Sequence, residues 1–562
     1  MKLAAMMGIE AEIINPGEYT NLSELSSRLH LERYKVIAID SGTAATFRQT
    51  LQSDSGQPLL DGFDAALIYG FENEGDEVAA WLSNAALSMG KIPSNAKFSF
   101  NKTALARQMA GLSFSARGPY RHFQLRDQAK IPSLIDVDGQ PFFVETLMGG
   151  CRTFLLPHAG VIDVDAAARE DQPLEYVNLL PWLMFLRAAF GEYCWDNYQP
   201  RAAFTIDDPL LTPSYGFVSY AALLEQACAH NFAATFAFIP WNYRRSSPSV
   251  TRLFQEHRER LSLCVHGCDH TGGEFRGADE PTLRARARIA LDRIEAFEAQ
   301  TGVACARIMI FPQGQFSKAA LRAVKHEDYL ATVNTSAVAT DASPGEVRVR
   351  DLLNVAVTCY GGAPLYNRRY PRAIFPSAVD LYLGKPALLV EHHGYFKHGY
   401  GEIRNFVGGL NALQNPPVWQ PLNQVIRAST LCRRVGVSNA EVRVFTDEAV
   451  FRNPYEHATS FRFVKSIEPG DTIVAVKRDG ARVDYQRRER RVECEFELAS
   501  GSAATLHVRH GHSARAPVAP PGLGYRTKVA MRRYLSEFRD NYVARSDLLL
   551  GLSRIATRRL FR

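Results

Sequence analysis

Phe204-Thr205-Ile206-Asp207-Asp208-Pro209 is the stretch on which the reading of this chain turns. Arg201 to Ile206 reads as a short apolar strand, and it ends in two adjacent carboxylates. Neighbouring residues of a regular strand point to opposite faces, so both acids serve one site only where the strand unwinds into a loop. Pro209, which cannot donate to a sheet ladder, marks that end. Two carboxylates this close repel, and one stays ionised most easily beside a cation. An Asp-Pro turn that merely closes a strand is the plainer reading. What else arrives at the same place decides between the two.

Outward from this stretch, apolar strands return at a regular beat: Ala203 to Ile206, Ala233 to Ile239, Leu261 to Val265, Arg307 to Phe311, Tyr329 to Val333, Leu353 to Val357 and Ala387 to Val390. Helical patterns lie between the early ones. Val218 to His230 is one, and Pro281 to Thr301 is another, with Pro at its first turn and Gly302 beyond its end. Strands with helical connections over roughly 200 residues suggest a parallel barrel, whose chemistry gathers at the carboxyl ends of its strands. Asp207-Asp208 follows the first strand, Pro240-Trp241-Asn242 the second, and His266-Gly-Cys-Asp-His270 the third. Pro312-Gln313-Gly314 follows the fourth, and Glu391-His392-His393 the last. His266 and His270 are spaced to share one side of a helical turn or tight loop, near enough to share a metal. With one carboxylate they make a two-His, one-carboxylate face that leaves positions open for water and substrate.

The order of these segments resembles the polysaccharide deacetylase family, the NodB-homology or carbohydrate esterase family 4 barrel, over about residues 196–435. The family's Thr-Phe-Asp-Asp-Gly appears as Thr205 to Pro209, its Ala-Thr-Phe-Phe strand as Ala234 to Ala237, and its His-x-x-x-His as His266 to His270. The Pro after the fourth strand is Pro312, and the final apolar-x-His is Val390-Glu391-His392. Two departures stand out. Pro209 replaces the family's Gly, and Ile310 stands where an Arg usually orients the catalytic Asp. The resemblance implies a (β/α)7-type barrel holding a divalent metal, zinc first, on Asp208, His266 and His270. It implies Asp207 as general base and His392, or its neighbour His393, as the acid that protonates a leaving amine. Trp241, Pro312 and Gln313 would line the substrate, Gln313 through its backbone N–H. For Trp241, an aromatic closing the barrel end is an equal alternative to a platform for a sugar. Cys264 and Cys268, beside the His motif, are read as structural.

The flanking segments are organised differently. Residues 1–195 alternate strands (Tyr34 to Asp40, Gly62 to Gly70, Cys151 to His158) with helical patterns (Glu74 to Met89, Val177 to Phe190), which suggests a flavodoxin-like or amidotransferase-like α/β domain of unassigned role. The turn at Asp40-Ser-Gly-Thr lacks a full phosphate-binding glycine fingerprint. Cys151 after Gly149-Gly150 reads as a structural cysteine at a strand start. Residues 436–515 alternate strictly, with a turn at Arg478-Asp479-Gly480, and read as a small antiparallel β-sandwich. Residues 516–562 read as a linker and a basic helical tail: a charged helix packed along the body is the plainer reading, and docking on a protein or on an anionic membrane surface is the alternative.

At 562 residues, 46% hydrophobic and 22% charged, the composition is that of a globular protein of several domains. A net charge of +6 is small for this length, and no nucleic-acid signature is present. No apolar run is long enough to span a bilayer. Acids near the N-terminus argue against a signal segment, and nine scattered cysteines without paired spacing suggest reduced thiols in a cytoplasmic protein. The leading expectation is therefore a metal-dependent deacetylase of an N-acetylated sugar, in cell-surface glycan biosynthesis. A glycoside or other amide hydrolase on a related barrel is one alternative, and a non-catalytic glycan-binding or assembly scaffold is another.

Overall fold

The computed structural model describes residues 1–15, 34–45, 60, 62–71, 87–125, 131–148, 150–169, 174–277, 279–511 and 522–545. The chain divides into two compact units. The first comprises residues 1–165, 172–195 and 413–415, and the second residues 166–171, 196–412 and 416–562.

In the first unit the strands Val36–Asp40, Ala65–Tyr69 and Cys151–Leu156 pair in parallel, as strand–helix alternation leads one to expect. The sheet then continues antiparallel through Gln140–Met148, Ser133–Val137, Ala96–Phe100 and Ser113–Ala116. That corrects the expectation of a parallel sheet throughout. The cause is local: Asp138-Gly139 between two of these strands takes positive φ at both residues (47° and 79°). A two-residue turn of that type can only return the chain alongside itself. Of the expected helix from Glu74 to Met89, residues 74–86 lie outside the described residues. Leu87 to Met89 belong to a strand, Leu87–Ile92, that pairs with Tyr120–Leu125. The helix Tyr176–Phe190 forms as expected and is largely buried. Residues 41–45 continue from Asp40 as helix, and the Ser41 hydroxyl donates to the Gly70 carbonyl. Cys151 is buried at the start of its strand.

The second unit is built on seven parallel strands, β1 (Arg201–Asp207), β2 (Ala234–Phe238), β3 (Leu261–His266), β4 (Cys305–Ile310), β5 (Ala331–Asn334), β6 (Leu365–Asn367) and β7 (Ala387–His392). Their order across the sheet is β6-β5-β4-β3-β2-β1-β7. The edges approach through one bridge, where Arg369, just past β6, pairs with Leu389 of β7. Every residue of β2 is buried, and so is all of β1 after Arg201. Continuous apolar runs of this kind suit parallel strands covered on both faces. Between the strands run α1 (Tyr220–Ala229), α2 (Pro248–Glu256), α3 (Glu280–Thr301) and α4 (Lys318–His326), followed by α5 (Ile374–Tyr382) and, after β7, α6 (Gly401–Asn411). The Ser219 hydroxyl caps α1 through the Ala222 N–H, and α3 stops at Gly302, which takes φ 68°.

One strand is not where the apolar pattern put it. Leu353 to Val357 was the expected sixth strand, but Val349–Leu353 is a helical turn. Val357 makes only an antiparallel bridge to Leu365, and the sixth strand is Leu365–Asn367. Both segments are apolar and buried, so composition alone does not separate them.

After the barrel, two sheets pack on a shared apolar core that includes Val442, Phe451, Phe461, Phe463 and Val508. Asp479 and Gly480 (φ 49° and 87°) close the hairpin at the expected turn. The sandwich departs from pure antiparallel order in one pair, Asn439–Val444 beside Thr459–Ser466. The tail forms helix α7 (Leu523–Asn541); residues 546–562 of the expected helical tail lie outside the described residues.

Candidate active site and metal centre

β1 delivers the acid pair by unwinding where the sequence suggested. Asp207 is its last residue, and Asp208 takes φ 76°, a left-handed conformation that a non-glycine residue adopts only at a cost. The loop after β3 is a tight turn, not a helix. Gly267 at φ 60° lies so close to the Glu274 carboxylate and Pro312 that a Cβ there would sit 2.0 Å from Glu274 Oε1. Glu274, itself buried, accepts the backbone N–H groups of Cys268 (2.8 Å), Asp269 (3.1 Å) and Thr271 (3.3 Å), which fixes the path of the chain between the two histidines. Asp269 is tied in turn to Arg293 of α3 at 2.6 Å.

His266 Nδ1 donates to the Ile310 carbonyl at 3.1 Å, because a carbonyl can only accept. Its Nε2 therefore faces Asp208 Oδ1, at 3.2 Å, and His270 Nε2 approaches the same oxygen at 2.9 Å. Asp208 Oδ1 is buried and has no conventional hydrogen-bond donor. The three ligand atoms lie within 4.8 Å of one another, and this is the group of metal-ligating type found among the described residues. An orphaned carboxylate oxygen between two imidazole nitrogens, one with its other nitrogen held by a carbonyl, fits a divalent cation and the outer contacts such ligands usually make. Burial acts to raise the Asp208 pKa, but His270 and His266 outweigh it and hold the acid well below the ordinary carboxylate range. Burial acts to lower that of His266, and Asp207 and Asp208 outweigh it and raise it.

Asp207 is held by a residue that the motifs did not reveal. Arg368, the residue directly after β6, grips both oxygens of Asp207 at 2.7 and 2.5 Å, and both side chains are almost wholly buried. Its guanidinium also donates to the Thr205 hydroxyl, which donates on to the Leu389 carbonyl. Burial would raise the Asp207 pKa; Arg368 and His266 outweigh it and keep the carboxylate ionised. Arg368 thus does from β6 what Ile310, buried in β4, does not. Misplacing the sixth strand hid it, and the signal that could have found it is the Asn367-Arg368-Arg369 run directly after a short apolar strand.

The two late histidines part company. His392 pairs in register with Asp207, while His393 packs against the rings of Tyr215 and Phe217 and lies 3.5 Å from Asp540. Pro312 is buried beneath the His loop, and Gln313 (φ 59°) accepts the Gly273 N–H through its side chain. Trp241 is occupied from another quarter: Tyr534 meets its ring edge-on and Arg245 lies over it. Cys264 and Cys268 are buried, and burial pushes both thiols well up, in keeping with structural roles.

Asp540 and Tyr534 belong to α7, which crosses the mouth of the barrel. Glu537 forms a two-point pair with Arg245 (2.6 and 2.7 Å), Asp540 accepts from Tyr215 (2.8 Å), and Asn541 accepts the Gly216 N–H (2.8 Å). Tyr525 donates to Asp269 at 3.0 Å. The tail therefore touches the loops after β1, β2, β3 and β7.

No family model matches the chain, and no curated protein matches it. Solved structures that match part of it include a protein described as a polysaccharide deacetylase from Mycobacterium smegmatis (18% identity, 40% of this chain and 88% of that one, TM-score 0.29). The peptidoglycan deacetylase PdaC from Bacillus subtilis (12%, 41% and 91%, TM-score 0.25) and a family 4 carbohydrate esterase from Streptomyces lividans (14%, 37% and 85%, TM-score 0.23) are others. These likenesses place no activity on the chain. In the order of its motifs and the way they converge at the strand ends, the barrel of the second unit resembles a divergent polysaccharide deacetylase of the carbohydrate esterase 4 type.

Proposed function

We propose that the barrel is a metal-dependent hydrolase that removes the acetyl group from an N-acetylated sugar, in the making of a cell-surface glycan. The observation that carries this reading is the meeting of Asp208, His266 and His270 around one point, beside an Asp207 fixed by Arg368. These three would hold a divalent ion, zinc being the first choice for a His-rich set. When bound, the ion supplies a Lewis acid for the acyl oxygen and acidifies water at its open positions.

The chain's own residues do the rest. Asp207, ionised and aimed by Arg368, takes the proton from the attacking water as its oxygen bonds to the acyl carbon. The Gln313 backbone N–H donates to the oxygen as negative charge develops there. His392, next to Asp207 in the sheet, gives its proton to the nitrogen as the C–N bond breaks, leaving acetate and a free amine. His393 is the poorer acid, because Asp540 and two aromatic rings hold it.

The test is acetate release from N-acetylated sugar oligomers. The expected result is release that a chelator abolishes and zinc restores. Metal-replete protein that releases no acetate, or release indifferent to chelation, overturns the proposal.

A further inference from the structure

Helix α7 is amphipathic in the reverse of the usual sense. The face it turns to the barrel carries Arg533, Glu537 and Asp540, all buried, with Val529 as the one apolar residue among them. The opposite face carries Met531, Leu535, Phe538 and Tyr542, which are 61%, 60%, 57% and 66% exposed. Their spacing of four, three and four residues sets them in one stripe along the helix. Phe538 and Tyr542 lie against each other, with ring centres 5.3 Å apart. A helix whose outer face is apolar leaves a surface that another body is expected to cover.

The charge on that surface says which body. The same periodicity places Lys528, Arg532 and Arg539 along one border of the stripe, all three exposed, with Arg539 paired to Asp540 and Lys528 and Arg532 as the border's outward charges. The helix's acids are turned inward, where Glu537 is held by Arg245 and Asp540 by Tyr215 and Arg539. A second copy offering the same face would bring basic borders together. An anionic lipid surface offers both of the things the face lacks, an apolar layer for the stripe and negative charge for its border.

We propose that α7 docks this outer face on an anionic membrane surface, and so holds the mouth of the barrel at the bilayer. The stripe enters the boundary between headgroups and acyl chains while the inner face keeps its contacts with the barrel loops. The sequence beyond the described residues has the same character, with Leu548, Leu549, Leu550 and Leu552 among Arg554, Arg558, Arg559 and Arg562. The proposal stands apart from the deacetylase reading, since it rests on no residue of the metal centre.

The test is flotation of the full chain with phosphatidylcholine vesicles, with and without phosphatidylglycerol. The chain is expected to float with the anionic vesicles alone and to be released by high salt. Leu535→Glu with Phe538→Glu should abolish flotation, and Lys528→Gln with Arg532→Gln should weaken it about fivefold per residue. An unchanged thermal melt and metal content in each variant separates docking from misfolding. Failure of the wild type to float, or equal flotation of the glutamate variants, overturns the proposal. So does a dimer in light scattering that the glutamate variants dissolve while vesicles bind neither form.

Discussion

Asp207, His266 and Arg368 reach the barrel mouth from the ends of apolar strands, and each is at most 4% exposed. Glu537, Asp540 and Tyr525 reach the same mouth from a helix whose Asp540 lies 325 residues along the chain from its partner Tyr215. The floor is held by buried charge pairs set in a hydrogen-bonded framework, and each group there would be left without a partner if its mate were removed. The cover mixes one buried contact, Tyr215 with Asp540, with contacts that open to water on one side, Arg245 with Glu537 and Tyr525 with Asp269, where water can replace a lost partner. Floor and cover should therefore answer differently to the same kind of substitution: the floor through metal and chemistry, the cover through access and modest stability.

The largest effect is expected at the ligands. His270→Ala should lower metal affinity by more than the ~100-fold that loss of an outer contact costs, measured by competition with a chromophoric chelator. Asp207→Asn should keep the metal and lower kcat by about 10²–10⁴-fold, the usual share of a general base, with KM little changed. Arg368→Ala, which strands a buried carboxylate, should cost about 3–5 kcal/mol of stability in chemical denaturation, as well as activity. Glu274→Gln comes next. It weakens the acceptor of three backbone N–H groups and should reduce metal affinity about 10–100-fold without touching a ligand. On the cover, Glu537→Gln should cost about 1 kcal/mol or less and leave metal content unchanged. Equal losses at Glu274 and Glu537 would break the distinction between floor and cover.

The smallest effect is expected beside the site, at Glu391. Burial pushes its pKa up to about 7. A carboxyl whose folded pKa lies above its unfolded one binds more protons folded than unfolded, so its contribution is full below the ordinary value. It is lost as pH rises to about 7. Glu391→Gln should flatten the melting temperature against pH across that window and leave it unaltered at lower pH.

How much of this the sequence disclosed follows from the range over which each feature is encoded. The acid pair and the His-x-x-x-His loop are local, and the strand end marked by Pro209 shows in a linear reading. Glu274 was within reach too, four residues beyond His270, but nothing in its identity told that its carboxylate would gather the loop's N–H groups. Arg368 was not legible, because two apolar segments, Leu353 to Val357 and Leu365 to Asn367, competed for the sixth strand, and only tertiary pairing chose between them. The antiparallel half of the first unit was overlooked although Asp138-Gly139 carries a hairpin signal. The tail reads as a basic helix packed along the body, but its place over the barrel mouth was not legible, because it turns charged residues inward, against the periodicity by which buried faces are usually recognised.

The central claim is that Asp208, His266 and His270 form one metal centre. Metal analysis after dialysis of the wild type and of Asp208→Ala tests it most directly. One equivalent of zinc in the wild type and none in the variant is the result predicted; the same zinc content in both, or none in either, would contradict it.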